Sequence, residues 1–153
     1  MAANQNPIFT LTPNVGSVVI PTTNAQTKSD GTSAGSGADL MYNVWTSGAF
    51  GSFLEAIIFW AVANAAATSS VATVLRAYLS TVQTPGATTS SNTFLIGEVA
   101  APVQSASHST NPTNFIEMLI NRKIPATKYI HVSQHVAQTT NQNYMATAIG
   151  GDY

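Results

Sequence analysis

The chain is notable first for what is scarce: its 153 residues include no cysteine, only five Lys+Arg and only six Asp+Glu. Without cysteine there is neither a disulfide framework nor a thiolate metal site, so the fold must rest on packing in any redox compartment. Charged side chains make up 7% of the positions, against roughly 25% in an ordinary soluble domain. With a net charge of −1, the surface has no long-range repulsion, which favours association. Positive charge clusters only at Arg122-Lys123. Phosphate backbones are bound by clustered cations, so nucleic acid is set aside as a partner.

A membrane-length hydrophobic run is also missing. The longest apolar stretch, FLEAIIFWAVANAAA (53–67), falls short of the about 20 residues a membrane helix needs, and it would place Glu55 and Asn64 in hydrocarbon. No membrane partner is expected. The start, MAANQNPIFTLTPN, has neither the basic region nor the apolar region of a secretory signal. The nearest glycosylation sequon is spoiled because Pro112 follows Asn111. Export by the general secretory route is therefore not expected.

Uncharged polar residues take the place of charge. Ser, Thr, Asn and Gln fill 54 positions and Ala another 22. The length suits one domain, residues 1–153, burying roughly two thirds of its unfolded surface. Residues 1–14 read as an N-terminal arm and 22–39, TTNAQTKSDGTSAGSGAD, as a polar low-complexity loop. Such a loop is flexible unless its own domain or a neighbouring subunit holds it.

Short apolar runs recur along the rest of the chain: SVVI, LMYNVW, FLEAIIFWAV, VATVLRAYLS, NTFLIGEVA, FIEMLI, KYIHVSQHV and NYMATAI. Most are four to ten residues long, and Gly, Pro, Asn or Ser/Thr clusters separate them, as expected for strands. About eight short, evenly spaced strands predict an all-β fold, an antiparallel β-sandwich or small barrel. KYIHVSQHV alternates most cleanly: Ile130, Val132 and Val136 face one way, and Tyr129, His131, Ser133 and His135 face solvent.

The 53–62 run differs. Strict alternation puts Phe53, Glu55, Ile57 and Phe59 on one face and Leu54, Ile58, Trp60 and Val62 on the other, so both faces are apolar. Loops of the same subunit or a partner subunit must then cover it. A helix over 53–67 is the alternative, since its alanines favour helix while its β-branched and aromatic residues favour strand.

No motif carries chemistry in its required context. Gly31-Thr32-Ser33-Ala34-Gly35 spells the hydrolase pattern G-x-S-x-G, but that pattern works only at a strand-to-helix turn, and here polar loop flanks it. It reads as linker. His131 and His135, four residues apart on a strand, are separated by about 13 Å, too far to share one metal ion. They read as a solvent-facing pair. Glu55, Arg76, Glu98 and Glu117 are isolated charges within strands, and a cross-strand ladder with Arg76 between acids fits them better than a glycosidase carboxylate pair. No catalytic residue, cofactor site or metal site is assigned, and no enzyme activity is expected.

The charge-poor Ala/Thr/Ser/Asn composition, the opening NPIFTLTPNVGSVVIP, the central NTFLIGEVAAP and the closing AIGGDY together resemble the small β-sandwich virion proteins of tailed bacteriophages. The resemblance spans nearly the whole chain but rests on no diagnostic motif. It implies a jelly-roll-like sandwich without enzymatic activity, assembled in the bacterial host cytoplasm into the virion. The implied role is capsid cement or decoration: a homo-oligomer, a trimer being favoured, that bridges neighbouring major capsid subunits. Its apolar anchors are expected at Phe9, Phe50, Phe53 and Trp60. The other function in view is a tail- or fibre-associated carbohydrate-binding module, in which exposed Tyr42, Trp45, Tyr129 or Tyr144 would stack on sugar rings.

Overall fold

The computed structural model describes residues 12–33, 37–64, 68–107, 109 and 115–153. Phe9, His108 and most of the expected N-terminal arm lie outside them. Ten strands are present, and no α-helix occurs among the described residues: β1 (Thr12–Ile20), β2 (Tyr42–Thr46), β3 (Ser52–Ala63), β4 (Thr68–Ser69), β5 (Thr73–Ser80), β6 (Thr93–Ala101), β7 (Ser105–Ala106), β8 (Ile116–Ile124), β9 (Tyr129–Gln134) and β10 (Gln142–Asp152). All eight runs read from the sequence are strands. The 53–62 run forms β3, which settles its helix–strand ambiguity in favour of strand.

Pairing follows one nested rule. β1 pairs with β10, β2 with β9, β3 with β8, β4 with β7 and β5 with β6, all antiparallel. The chain is thus one long hairpin with its tip between β5 and β6, rolled up so that β10 also meets β3 and β9 also meets β5. This produces two four-stranded sheets, β1-β10-β3-β8 and β2-β9-β5-β6, with β4-β7 as a small third ladder. Two facing sheets of this order make a jelly roll, in which closure leaves short edges in place of long ones.

The core lies between the sheets. Leu54, Ile57 and Phe59 of β3, Met118 and Ile120 of β8 and Ala146 and Ala148 of β10 meet Leu75 and Ala77 of β5 and Ile130 and Val132 of β9. Burying each of the larger side chains contributes about 1.5–3 kcal/mol. Trp45 and Tyr144 are buried with them, so neither can form a sugar-stacking platform.

The strict alternation expected for β3 is corrected. Its register shifts between Leu54 and Ala56 against β8 and between Ile149 and Gly150 against β10. A bulge of this kind sets two residues against one and resets which side chains face inward. Leu54 therefore joins Ile57 and Phe59 in the core, while Phe53, Glu55, Ile58, Trp60 and Val62 are left on the outer face with partial or full exposure.

β9 is corrected more strongly. Tyr129–Gln134 is buried along nearly its whole length, and His131 and Ser133 have no exposed surface. The 22–39 loop covers the strand's Gln134 end, and His131 is hydrogen-bonded to the Val82 carbonyl of the β5–β6 connection. The described part of the loop is not a flexible arm but lies across the outer face of the β2-β9-β5-β6 sheet. Asn24 and Gln26 are both buried. Asn24 Nδ2 donates to the carbonyls of Ala38 (2.8 Å) and Leu40 (2.6 Å), and its Oδ1 accepts the Gln134 N–H (2.9 Å). Gln26 Nε2 donates to the carbonyls of Asp39 (2.6 Å) and Thr32 (3.1 Å), and the Gln26 N–H donates to the Gln134 carbonyl (2.9 Å). Gly31, at φ +87°, seats the loop where a Cβ would stand 2.1 Å from the Thr93 carbonyl oxygen. Only glycine fits there.

Candidate functional site

The charges and motifs singled out in the sequence are scattered or engaged. Ser33 is buried in the loop, its Oγ donating to the Asp39 carbonyl (2.9 Å) and accepting the Met41 N–H (3.3 Å); among the described residues no strand or helix places it at an elbow. Arg76 pairs with Glu98 across β5 and β6 at 2.6 Å and donates to the Gln26 carbonyl at 3.0 Å. Glu55 and Glu117 lie on the other sheet, so the ladder with Arg76 between acids does not form. His131 Nε2 donates to the Val82 carbonyl at 2.9 Å, and its Nδ1 is buried without a partner. Burial lowers the His131 pKa, and the bond to Val82 opposes this only in part. His135 stands near Arg76 and the Gln26 carbonyl, each at 3.4 Å. The histidines are thus not a solvent-facing pair: His131 is buried against the β5–β6 connection, and His135 stands against the loop. Among the described residues, no group of three or more His, Cys, Asp or Glu is arranged to hold a metal.

The exposed face of the β1-β10-β3-β8 sheet is different. Residues directly opposite in antiparallel strands share a face, so the register lays out rows across it. Val19 stands opposite Met145, and Met145 opposite Trp60. Trp60 meets Phe115, just ahead of β8, with ring centroids 5.3 Å apart. Ser17, Thr147, Ile58 and Glu117 form the next row, and Val15, Ile149, Ala56 and Leu119 the one after. Two of the three rows are almost wholly apolar and much of them is open: Val15 is 63% exposed, Leu119 64%, Phe115 52% and Trp60 39%. No segment among the described residues lies over this face.

The chain matches no protein-family model and none of the curated proteins. Among solved structures it is similar to a chain titled as the capsid asymmetric unit of cyanophage Pam1. That likeness covers 97% of this chain and 91% of the other, at 12% identity and a TM-score of 0.41.

Of the expected anchors, Phe50 is 84% exposed on the turn before β3, while Phe53 is half-buried on the outer face and Trp60 is open. Asp152 holds that turn. Its carboxylate accepts from Asn14 Nδ2 (3.0 Å), the Gly48 N–H (3.2 Å) and Ser52 Oγ. Burial pushes the Asp152 pKa up, but these donors outweigh it and leave it lowered. The turn borders a cleft of about 340 Å³ lined by Phe50, Lys123, Ile124, Pro125 and Tyr153.

Val15, Val19, Phe115, Leu119 and Met145 were missed in the sequence. Each sits on or beside a strand whose place in the β3 sheet only the topology reveals. A local signal was nevertheless present: Val15 and Val19, Phe115 and Leu119, and Met145 and Ile149 are apolar pairs four residues apart, which puts both members of a pair on one face of a strand.

Proposed function

We propose that this chain is a structural, non-enzymatic component of a bacteriophage virion, working as capsid cement that bridges and stabilises neighbouring major capsid subunits. The observation that carries the reading is the open apolar face of the β1-β10-β3-β8 sheet on a jelly roll whose other sheet is covered by its own loop. A monomeric protein rarely leaves an apolar patch of more than a few hundred Å² uncovered, and larger ones mark interaction sites. A surface with 7% charged residues adds no repulsion to oppose neighbours at high density. Repeated weak contacts would then sum through multivalency. The proposed partners are further copies of the chain and the major coat protein, and the proposed location is the virion, assembled in the bacterial host cytoplasm.

The carbohydrate-binding alternative loses support, because Trp45 and Tyr144 are buried and Tyr42 and Tyr129 are half-buried. The test adds purified protein to shells lacking it. The cement role requires that the protein sediments with the shells and raises their resistance to heat and to low salt. Protein that stays in the supernatant and leaves shell melting unchanged would refute it.

A further inference from the structure

The open sheet face is complementary to itself. Leu119 stands opposite Ala56, Glu117 opposite Ile58 and Lys123 opposite Phe53. Lys123 is farther from Leu119 along β8 than Glu117 is, but the register shifts at Leu54/Ala56 and Ile149/Gly150 take up the excess, so on β10 the three rows pass through Thr147, Ile149 and Gly151 and the acid and base rows lie evenly on either side of the Leu119 row. Neither has a partner in its own subunit: among the described residues Arg76–Glu98 is the only ion pair. The ends of the face differ in the same way. Beyond Glu117 lies the projecting Trp60–Phe115 pair. Beyond Lys123 lies the cleft lined by Phe50, Lys123, Ile124, Pro125 and Tyr153.

We infer that the occupant of this face is a second copy of the chain, packed face to face about a two-fold axis that crosses the strands at the Val15–Ile149–Leu119 row. In such an isologous contact each residue pair occurs twice. The axis brings Glu117 of each copy to Lys123 of the other, sets Leu119 near its own counterpart, and turns each Trp60–Phe115 end onto the other copy's Phe50 cleft. Four strands about 4.8 Å apart and nine residues long present a footprint of about 550 Å² before side-chain relief. With the cleft and the Phe50 turn added, each copy approaches the ~800 Å² that one partner contributes to a standard stable interface.

The inference rests on the assembly role proposed above and specifies its symmetry: a two-fold pair in place of the trimer that the sequence resemblance implies. A two-fold pair keeps two equivalent remaining surfaces, as bridging between two coat subunits requires.

The experiment is sedimentation equilibrium on wild-type protein, Glu117→Lys, Lys123→Glu and an equimolar mixture of the two variants, with circular dichroism to confirm that both variants fold. The wild type is expected to be a dimer at micromolar concentration. Each variant alone places like charges together twice and is expected to associate at least about tenfold more weakly. In the mixture, a Glu117→Lys chain paired with a Lys123→Glu chain restores opposite charges at both contacts, and dimer is expected to recover to within about threefold of wild type. A wild-type monomer at about 100 µM, far above the concentration at which a standard interface dissociates, would overturn the inference. So would a trimer, or a mixture that associates no better than either variant. These results are independent of shell binding: a wild-type dimer that ignores shells removes the cement reading alone, and a monomer that still protects shells removes the two-fold pair alone.

Discussion

The outer faces of the two sheets are covered by different means. On the β2-β9-β5-β6 sheet the chain supplies its own cover, a polar loop whose Asn24 and Gln26 side chains replace the backbone partners that a neighbouring strand would provide. That cover is strong enough to bury Arg76 and Gln134 beneath it. On the β1-β10-β3-β8 sheet no described segment does the same, and the exposed rows are Val, Met, Trp, Phe and Leu instead of Asn and Gln. The lesson concerns composition. Polar residues here sit where burial is intramolecular and hydrogen bonds can be completed within one subunit, whereas apolar residues remain on the face that no described segment covers. Hydrogen bonds need a fixed partner, while apolar contact tolerates one that arrives later.

Substitutions on the two faces should therefore separate stability from association. The largest loss of stability is expected for Asn24→Ala, which leaves the Gln134 N–H and the Leu40 carbonyl without their partner, while the Ala38 carbonyl keeps only the Ala25 N–H. A cost of about 3 kcal/mol follows from one or more unmet buried groups, and calorimetry should record a Tm lower by about 6–12 °C. Arg76→Met should cost less. Glu98 is 43% exposed at the side chain and can be solvated by water, so a loss of about 2 kcal/mol is expected in urea denaturation, below the roughly 3–5 kcal/mol of a fully buried pair.

The third test uses pH. The folded state disfavours protonated His131, because Nε2 already donates to Val82 and a proton on Nδ1 would find no acceptor. The unfolded chain takes that proton near the ordinary value of about 6.5. The unfolded state thus binds more protons, and stability falls as pH drops below about 6.5 until the lowered folded pKa is reached, by at most about 1.4 kcal/mol per pH unit. Denaturation midpoints measured from about pH 7.5 to about pH 5, on either side of that value, should show this slope, and His131→Phe should flatten it.

The smallest effect on stability belongs to the open face. Leu119→Ser should change the unfolding free energy by less than about 0.5 kcal/mol, as exposed substitutions do, while reducing self-association in the same sample. If Leu119→Ser destabilised the fold as much as Asn24→Ala, the contrast between the faces would collapse.

The strands were legible in the sequence because short period-two runs bounded by turn residues are a local signal. Their pairing was not, since β1 with β10 joins residues more than a hundred positions apart, and neither was the bulge at Glu55, which depends on two neighbouring strands at once. For the 22–39 loop the sequence left open whether its own domain or a neighbour holds it, because Asn and Gln side chains that satisfy buried backbone have the same composition as a disordered tract. His131 was misread, since alternation tells which face a residue is on but not what lies over that face. Of the open face, Phe53 and Trp60 could be named because they stand in one conspicuous run. The rest of the patch required the sheet order.

The nested hairpin also sets a timetable. β10 lies between β1 and β3, although it is the last of the ten strands to leave the ribosome. Until it is made, β1 and β3 have no common neighbour and the rows from Val19 to Trp60 do not exist. A nascent chain therefore cannot display the docking surface piecemeal. The capacity to associate arrives with the tenth strand, together with the fold itself, and a crowded polysome is spared partly built chains that stick to one another.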